Sequence, residues 1–234
     1  MTAPEPIRTS LVYRSARGYE LLMRVLYARH YAARMRLVAE QVPTGSSVLE
    51  LCCGPGTMYL RHLRGRTSAY VGLDVNDRFV TRLRNQGVDA RKVDLSSRPG
   101  RGGLPKADVA ARLPEADVAI MPASLSRLPE ADVAIMQASL YHFIPNAGRI
   151  VAEMLAVANY RVIISEPIRN LTTSSLPGVA LLGSRAANPG VGAHAERFTE
   201  ATLDQQMAPH RERILCSFTI PGGREKVYVL RGRR

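Results

Sequence analysis

The segment Val48-Leu-Glu50-Leu-Cys52-Cys53-Gly54-Pro55-Gly56-Thr57 joins an acid, a glycine-rich turn and the start of a helix. Its apolar run reads as a buried strand that ends in the acid and then the turn. A glutamate inside a buried strand has no packing reason to be there, so Glu50 reads as a ligand group. Small residues let the backbone approach a ligand closely, and the helix start offers free N–H groups. A second acid, Asp74, ends the next strand 18 residues after Gly56. A carboxylate so placed can accept both hydroxyls of a ribose, and a third acid, Asp94, closes a third strand-like segment. The set suits an adenosine at the carboxyl edge of an open sheet. The third glycine of a dinucleotide fingerprint would fall where Tyr59 stands, which disfavours a dinucleotide. No G-x-x-x-x-G-K-[ST] run occurs, which disfavours a triphosphate. Glu50 itself suits a cationic or amino-bearing ligand.

The elements that must hold these residues are legible in the patterning. From Gly18 to about Val42, apolar residues including Leu21, Val25, Tyr31, Met35 and Val38 recur at spacings of three and four, predicting a helix with a solvated arginine face. A helical stretch follows the glycine turn to about Arg66. Tyr70–Asp74 reads as a second strand, and Asn76 caps the helix that carries Phe79, Val80 and Leu83. Val88–Asp94 reads as a third strand, and Tyr160–Glu166 as a fifth behind a helix from about Ala147 to Ala158. Strands alternating with helices predict an α/β chain whose parallel sheet is covered on both faces. Thr199 caps a further helix. Arg213–Ile220 and Lys226–Leu230 then flank Pro221-Gly-Gly223 and read as an antiparallel hairpin.

The fourth strand falls in an internal repeat. Leu113-Pro-Glu-Ala-Asp-Val-Ala-Ile-Met-Pro-Ala-Ser-Leu125 recurs as Leu128-Pro-Glu-Ala-Asp-Val-Ala-Ile-Met-Gln-Ala-Ser-Leu140, with an echo at Leu104–Ala110. A period of 15 is too short for a solenoid. The last copy is the expected strand, because Pro122 in the first removes a ladder donor. The first copy then becomes an insertion at about 104–127.

With 234 residues, 46% hydrophobic and 22% charged, the chain has an ordinary globular composition, which excludes a disordered or collagenous protein. No run of about 18 apolar residues occurs, so no membrane span is expected. The N-terminus lacks a signal-peptide pattern. The three cysteines include an adjacent pair, against a disulfide framework, and no C-x-x-C occurs, so no metal site is expected. The expectation is a reduced, soluble, cytoplasmic protein, monomeric or homodimeric. A net charge of +12 invites a nucleic-acid partner. Its arginines are scattered, though, and Trp is absent, which disfavours that reading.

In these residues the chain resembles the class I S-adenosylmethionine-dependent methyltransferases, from about Tyr19 to the final hairpin. The VLELCCGPGT stretch is similar to that family's first motif, with Cys52 where the family usually has its first glycine. The resemblance implies a Rossmann-like, seven-stranded, mostly parallel sheet with a C-terminal antiparallel hairpin and helices on both faces. It implies S-adenosylmethionine as cofactor and S-adenosylhomocysteine as product. Glu50 would organise the methionine amino end, with Cys52, Gly54 and Gly56 in the turn. Asp74 would hold the ribose, Val75 the adenine face, and Asp94 and Leu95 the adenine rim. Tyr19 and Gln137 join this cofactor set.

Ala138-Ser-Leu-Tyr141-His142-Phe143 is similar to the family's fourth motif, which faces the transferable methyl. His142 is the candidate base, since an imidazole titrates where it can take a proton from a hydroxyl or amine; lining the cofactor pocket is its other reading. Tyr141, Glu166, His194 and Arg197 are the candidate acceptor residues. The implied activity is methyl transfer to an oxygen or nitrogen of a small, secondary-type metabolite. Two alternatives stand beside it: an RNA methyltransferase, and a cofactor-binding relic without turnover. The expected layout is a single domain over 1–234, with an N-terminal helical cap at 1–44 and a cofactor-binding core at 45–170. A lid at 171–198 and a final helix and hairpin at 199–234 complete it.

Overall fold

A computed structural model describes residues 28–96, 128–169 and 196–234, together with Gly18, Leu21, Met23 and Arg24. Tyr19, His194, the insertion expected at 104–127 and nearly all of the expected lid lie outside the described residues. So the division into cap, core and lid stays an expectation.

The strands are β1 (Ser47–Leu51), β2 (Ala69–Asp74), β3 (Ala90–Lys92), β4 (Ala131–Gln137), β5 (Ala158–Pro167), β6 (Ile214–Thr219) and β7 (Glu225–Arg231). They form one sheet in the order β3-β2-β1-β4-β5-β7-β6. β1 to β5 pair in parallel, and β7 runs antiparallel to both β5 and β6. This is the Rossmann-like, mostly parallel seven-stranded sheet with a C-terminal antiparallel hairpin that the resemblance implies. β4 is built from the second repeat copy, as expected from Pro122 in the first.

The helices are α1 (Tyr31–Glu40), α2 (Asp77–Arg84), α3 (Ala147–Val157) and α4 (Glu200–Met207). Two-residue alternation along the strands sends side chains to opposite faces. On one face Val48, Val133, Ile135 and Ile163 pack against Val38 of α1, Leu63, and Val80 and Leu83 of α2. On the other, Leu49, Leu51, Ala134, Met136 and Ile164 pack against Ile150, Val151 and Met154 of α3 and Leu203 and Met207 of α4. Helices therefore cover both faces. Asn76 caps α2 by accepting from Arg78 N, and Thr199 caps α4 in a reciprocal capping box with Thr202.

Several expected spans shift. The helix read from Gly18 to about Val42 is not one continuous α-helix, since α1 begins at Tyr31 after a 3₁₀ turn at Ala28–His30. The helix after the glycine turn ends at Leu63, not Arg66, and Tyr59–Leu63 is wound as a π-helix. There Tyr59 stacks on Tyr70 with ring centroids 4.0 Å apart. β3 keeps only three residues, because it pairs with β2 alone. β5, held between β4 and β7, gains residues at both ends.

A buried polar cluster has no counterpart in the sequence reading. Arg34 of α1, 2% exposed, donates from Nε to Glu225 Oε2 at the start of β7, and the Ser165 hydroxyl of β5 donates to Glu225 Oε1. Arg34 and Glu225 lie 191 residues apart in sequence, so this pair ties α1 to the final hairpin.

Candidate functional site

Glu50 shares the Val48 face of β1, opposite Gly72 of β2 in register. Tyr70, two residues earlier on β2, lies on that face as well. Because Gly72 has no side chain, the Tyr70 ring folds over it, and its hydroxyl donates to Glu50 Oε2 at 2.7 Å. A Cβ on Gly72 would lie 3.0 Å from that hydroxyl and 2.9 Å from Cys53 Sγ. Glu50 is 3% exposed, and burial raises its carboxyl to about 7. Gln137, at the end of β4, offers Nε2 to Glu50 Oε1 at 3.5 Å. Its own Oε1 is buried with no hydrogen-bond partner among the described residues. A raised carboxyl and an orphaned acceptor side by side form a place for a donor-rich, cationic group.

Asp74 ends β2 and fastens the glycine turn to it. Its Oδ2 accepts from Gly54 N at 2.7 Å and its Oδ1 from Asn76 N at 2.8 Å. Burial raises this carboxyl too, against those two hydrogen bonds. Each oxygen keeps a second lone pair for an incoming hydroxyl.

The turn itself is bent by left-handed residues. Cys52 takes φ +54°, and Ala138, just past the neighbouring β4, takes φ +49°. Such conformations cost a side-chain-bearing residue about 1–2 kcal/mol and cluster at functional sites. Burial pushes the Cys52 and Cys53 thiols well above the ordinary thiol range, so neither is a ready nucleophile. Gly56 has φ +73°, and a Cβ there would lie 2.4 Å from Leu83 Cδ2. Gly56→Ala is therefore expected to destabilise the fold by about 2 kcal/mol, from strain plus overpacking, read as a fall in the urea unfolding midpoint. An unchanged midpoint would remove the turn's claim to a required glycine.

Two cavities flank this turn and share Cys52 and Gly54. The larger, about 190 Å³, lies over the carboxyl ends of β2, β3 and β4. Asp74, Val75, Asp94, Leu95, Tyr141 and His142 line it, as do Leu73, Phe79, Val93 and Phe143. Val75 is 40% exposed at its rim. Asp94 Oδ1 accepts from Ser96 N and its hydroxyl. The smaller, about 40 Å³, is bounded by Glu50, Gln137, Arg34, Tyr31 and Met58. The predicted set Glu50, Cys52, Gly54, Asp74, Val75, Asp94, Leu95 and Gln137 thus falls on these two compartments, while Gly56 shapes the turn between strand and helix.

The acceptor candidates divide. Tyr141 and His142 line the larger cleft, their rings 3.9 Å apart. The Arg197 guanidinium sits 3.6 Å over the Tyr141 ring. Glu166, expected near the substrate mouth, is instead fully buried. One oxygen accepts from Ser139 N at 3.0 Å and Leu140 N at 2.9 Å, and burial raises the carboxyl to about 8. It clamps the loop that presents Tyr141 and His142 to the cleft. Sequence reasoning missed Tyr70, Gly72 and Arg34. The Tyr-x-Gly spacing on the strand after a buried acid is the one available signal for the first two.

No protein-family model matches the sequence, and no curated protein matches it. Solved structures do. The magnesium protoporphyrin IX methyltransferase ChlM of Synechocystis PCC 6803, solved with bound SAH, is 14% identical, with 94% of this chain and 96% of that one covered at a TM-score of 0.54. A possible histamine N-methyltransferase of Thermotoga maritima is 13% identical over 95% of this chain and 98% of that one, with a TM-score of 0.55. The [4+2]-cyclase SpnF is similar as well, at 16% identity over 87% of this chain and 82% of that one, TM-score 0.54. One fold thus hosts more than one chemistry, and the site has to decide between them. With the strand order 3-2-1-4-5-7-6 and these likenesses along nearly its whole length, the chain has the class I S-adenosylmethionine-dependent methyltransferase fold.

Proposed function

We propose that this chain is an S-adenosylmethionine-dependent methyltransferase that acts on an oxygen or nitrogen of a small-molecule acceptor. The observation that carries it is the pair of compartments on either side of the Cys52–Gly54 turn, one with Glu50 and Gln137, the other with Asp74 and Asp94. These residues fit the cofactor. Glu50 and the orphaned Gln137 Oε1 would hold its ammonium, Asp74 its ribose hydroxyls, and Val75 and Leu95 its base. When bound, S-adenosylmethionine supplies a methyl group on a sulfonium, already a strong electrophile.

The chain's own part is then alignment and proton handling. Tyr141, Phe143 and the Glu166-clamped loop set the acceptor against the cleft, and alignment can supply much of the acceleration. His142, as neutral imidazole, would take the proton that the acceptor O–H or N–H gives up. The test is calorimetric titration with S-adenosylhomocysteine: one-to-one, micromolar-range binding supports the reading, and none to a folded chain ends it.

Glu50 makes that binding pH-dependent. Its carboxyl is raised to about 7 in the free chain, whereas an ammonium partner favours the ionised form. Below pH 7 the free chain holds a proton that the complex has lost. Affinity therefore falls about tenfold per pH unit as pH drops below 7, with about one proton released on binding, and levels off above 7. Titrations in buffers of different ionisation enthalpy count that proton. A Glu50→Gln variant should bind weakly with a flat profile over this range; an unchanged slope in it would remove Glu50 from the site.

A further inference from the structure

We propose that Tyr70 is a positioning residue for cofactor binding, one that holds Glu50 ready for an ammonium without touching the ligand itself. This rests on the methyltransferase reading and deepens its account of the same site. Among the described residues, those bounding the smaller cavity include Glu50 and Gln137 but not Tyr70. β1 lies between β2 and β4, so the phenol and the Gln137 amide reach Glu50 from neighbouring strands on either side. The phenol donates to Oε2 at 2.7 Å, which leaves Oε1, on the side of the orphaned Gln137 Oε1, for the ammonium.

The phenol is held there before any cofactor arrives. Tyr70 is 7% exposed, its ring stacks on Tyr59 with the planes 19° apart, and the bare Gly72 lets it fold toward Glu50. Burial raises the phenol well above its ordinary range, so it stays protonated and serves the carboxylate only as a donor. A donor to the ionised form opposes the cost of charging a buried acid. The other groups that bear on Glu50 divide: Gln137 of β4 and Arg34 of α1 favour its ionisation, whereas Asp74 of β2 opposes it. Cys53, in the turn, stays a neutral thiol. Among the groups that favour the charged form, the Tyr70 hydroxyl contributes most.

Tyr70→Phe keeps the ring and its stack and removes only the donor. Titrated calorimetrically with S-adenosylhomocysteine, the parent chain's affinity should bend at about pH 7. In the variant the bend is expected about one pH unit higher, the effect of losing a hydrogen bond to a charged group. The variant then binds about tenfold more weakly than the parent at about pH 6, yet within about twofold of it at about pH 8.5. At about pH 7 the proton released on binding rises from about one half to about nine tenths. Gly72→Ala, whose Cβ crowds the hydroxyl, should move the bend the same way, so the test does not hang on one variant's folding. A merely structural tyrosine would weaken binding by one factor at every pH and leave the proton count alone. That result, or a bend that stays at about pH 7 in the folded variants, overturns the proposal and leaves the cofactor site standing. Failure of S-adenosylhomocysteine to bind the folded parent chain instead ends the methyltransferase reading, and this inference with it.

Discussion

Asp74→Ala is expected to bind S-adenosylhomocysteine about a hundredfold more weakly than the parent chain. The carboxylate acts twice. It accepts from Gly54 N and Asn76 N, which sets the glycine turn against β2, and it faces the larger cleft with its remaining lone pairs. Alanine removes the acceptor for a ligand's paired hydroxyls and leaves two backbone N–H groups to find water. Hydrogen bonds to a charged group contribute about 1.5–3 kcal/mol each, so losing them together gives the stated factor or more. Asp74→Asn keeps the shape and one acceptor oxygen, and should fall between the two. Calorimetry on the three proteins decides it, and a loss under about threefold in the alanine variant would move the ribose site elsewhere.

Arg34→Ala should destabilise the fold by about 3–5 kcal/mol, because it leaves Glu225 buried without its counter-charge. Against a typical domain stability of about 5–15 kcal/mol, that is enough to bring the chain near its unfolding threshold at room temperature. The effect belongs to the unpaired charge rather than to lost volume. Replacing both partners at once, Arg34→Met with Glu225→Leu, should recover most of the loss, since buried ion pairs exchange for apolar residues at little or no net cost. Urea unfolding of the two variants separates the cases. A double variant no more stable than Arg34→Ala would show that the cluster's value lies in its geometry, with Ser165 included.

The fold was legible because β1, β2 and β4 are short, largely apolar and followed by turn chemistry, and because Asn76 and Thr199 announce their helices. Glu50 and Asp74 stood out for the same reason: acids have no bland explanation at the ends of buried strands. The less legible parts are long-range. Arg34 looks like any other arginine on an arginine-rich helix, and nothing local says that Glu225, so far along the chain, arrives beneath it. Tyr70 reads as an ordinary strand aromatic until the register places Gly72 beside Glu50. Glu166 misled in the opposite direction. Its position at the end of a strand resembled a substrate acid, yet the backbone amides of Ser139 and Leu140 claim it. A local pattern gives a residue's type and element; which partner reaches it is decided by pairings the pattern does not contain.

The duplicated segment has its own consequence. Leu113–Leu125 and Leu128–Leu140 differ at one position, proline at 122 and glutamine at 137. All the residues that pack β4 into the sheet are therefore duplicated, and the difference falls where strand becomes site, beside Glu50. In evolutionary terms the chain owns a spare copy of its central strand, held from interchange by a single codon. A drift of Pro122 to glutamine would make the copies equivalent and give natural selection two registers to choose between, with the same wall and the same amide at the end of each.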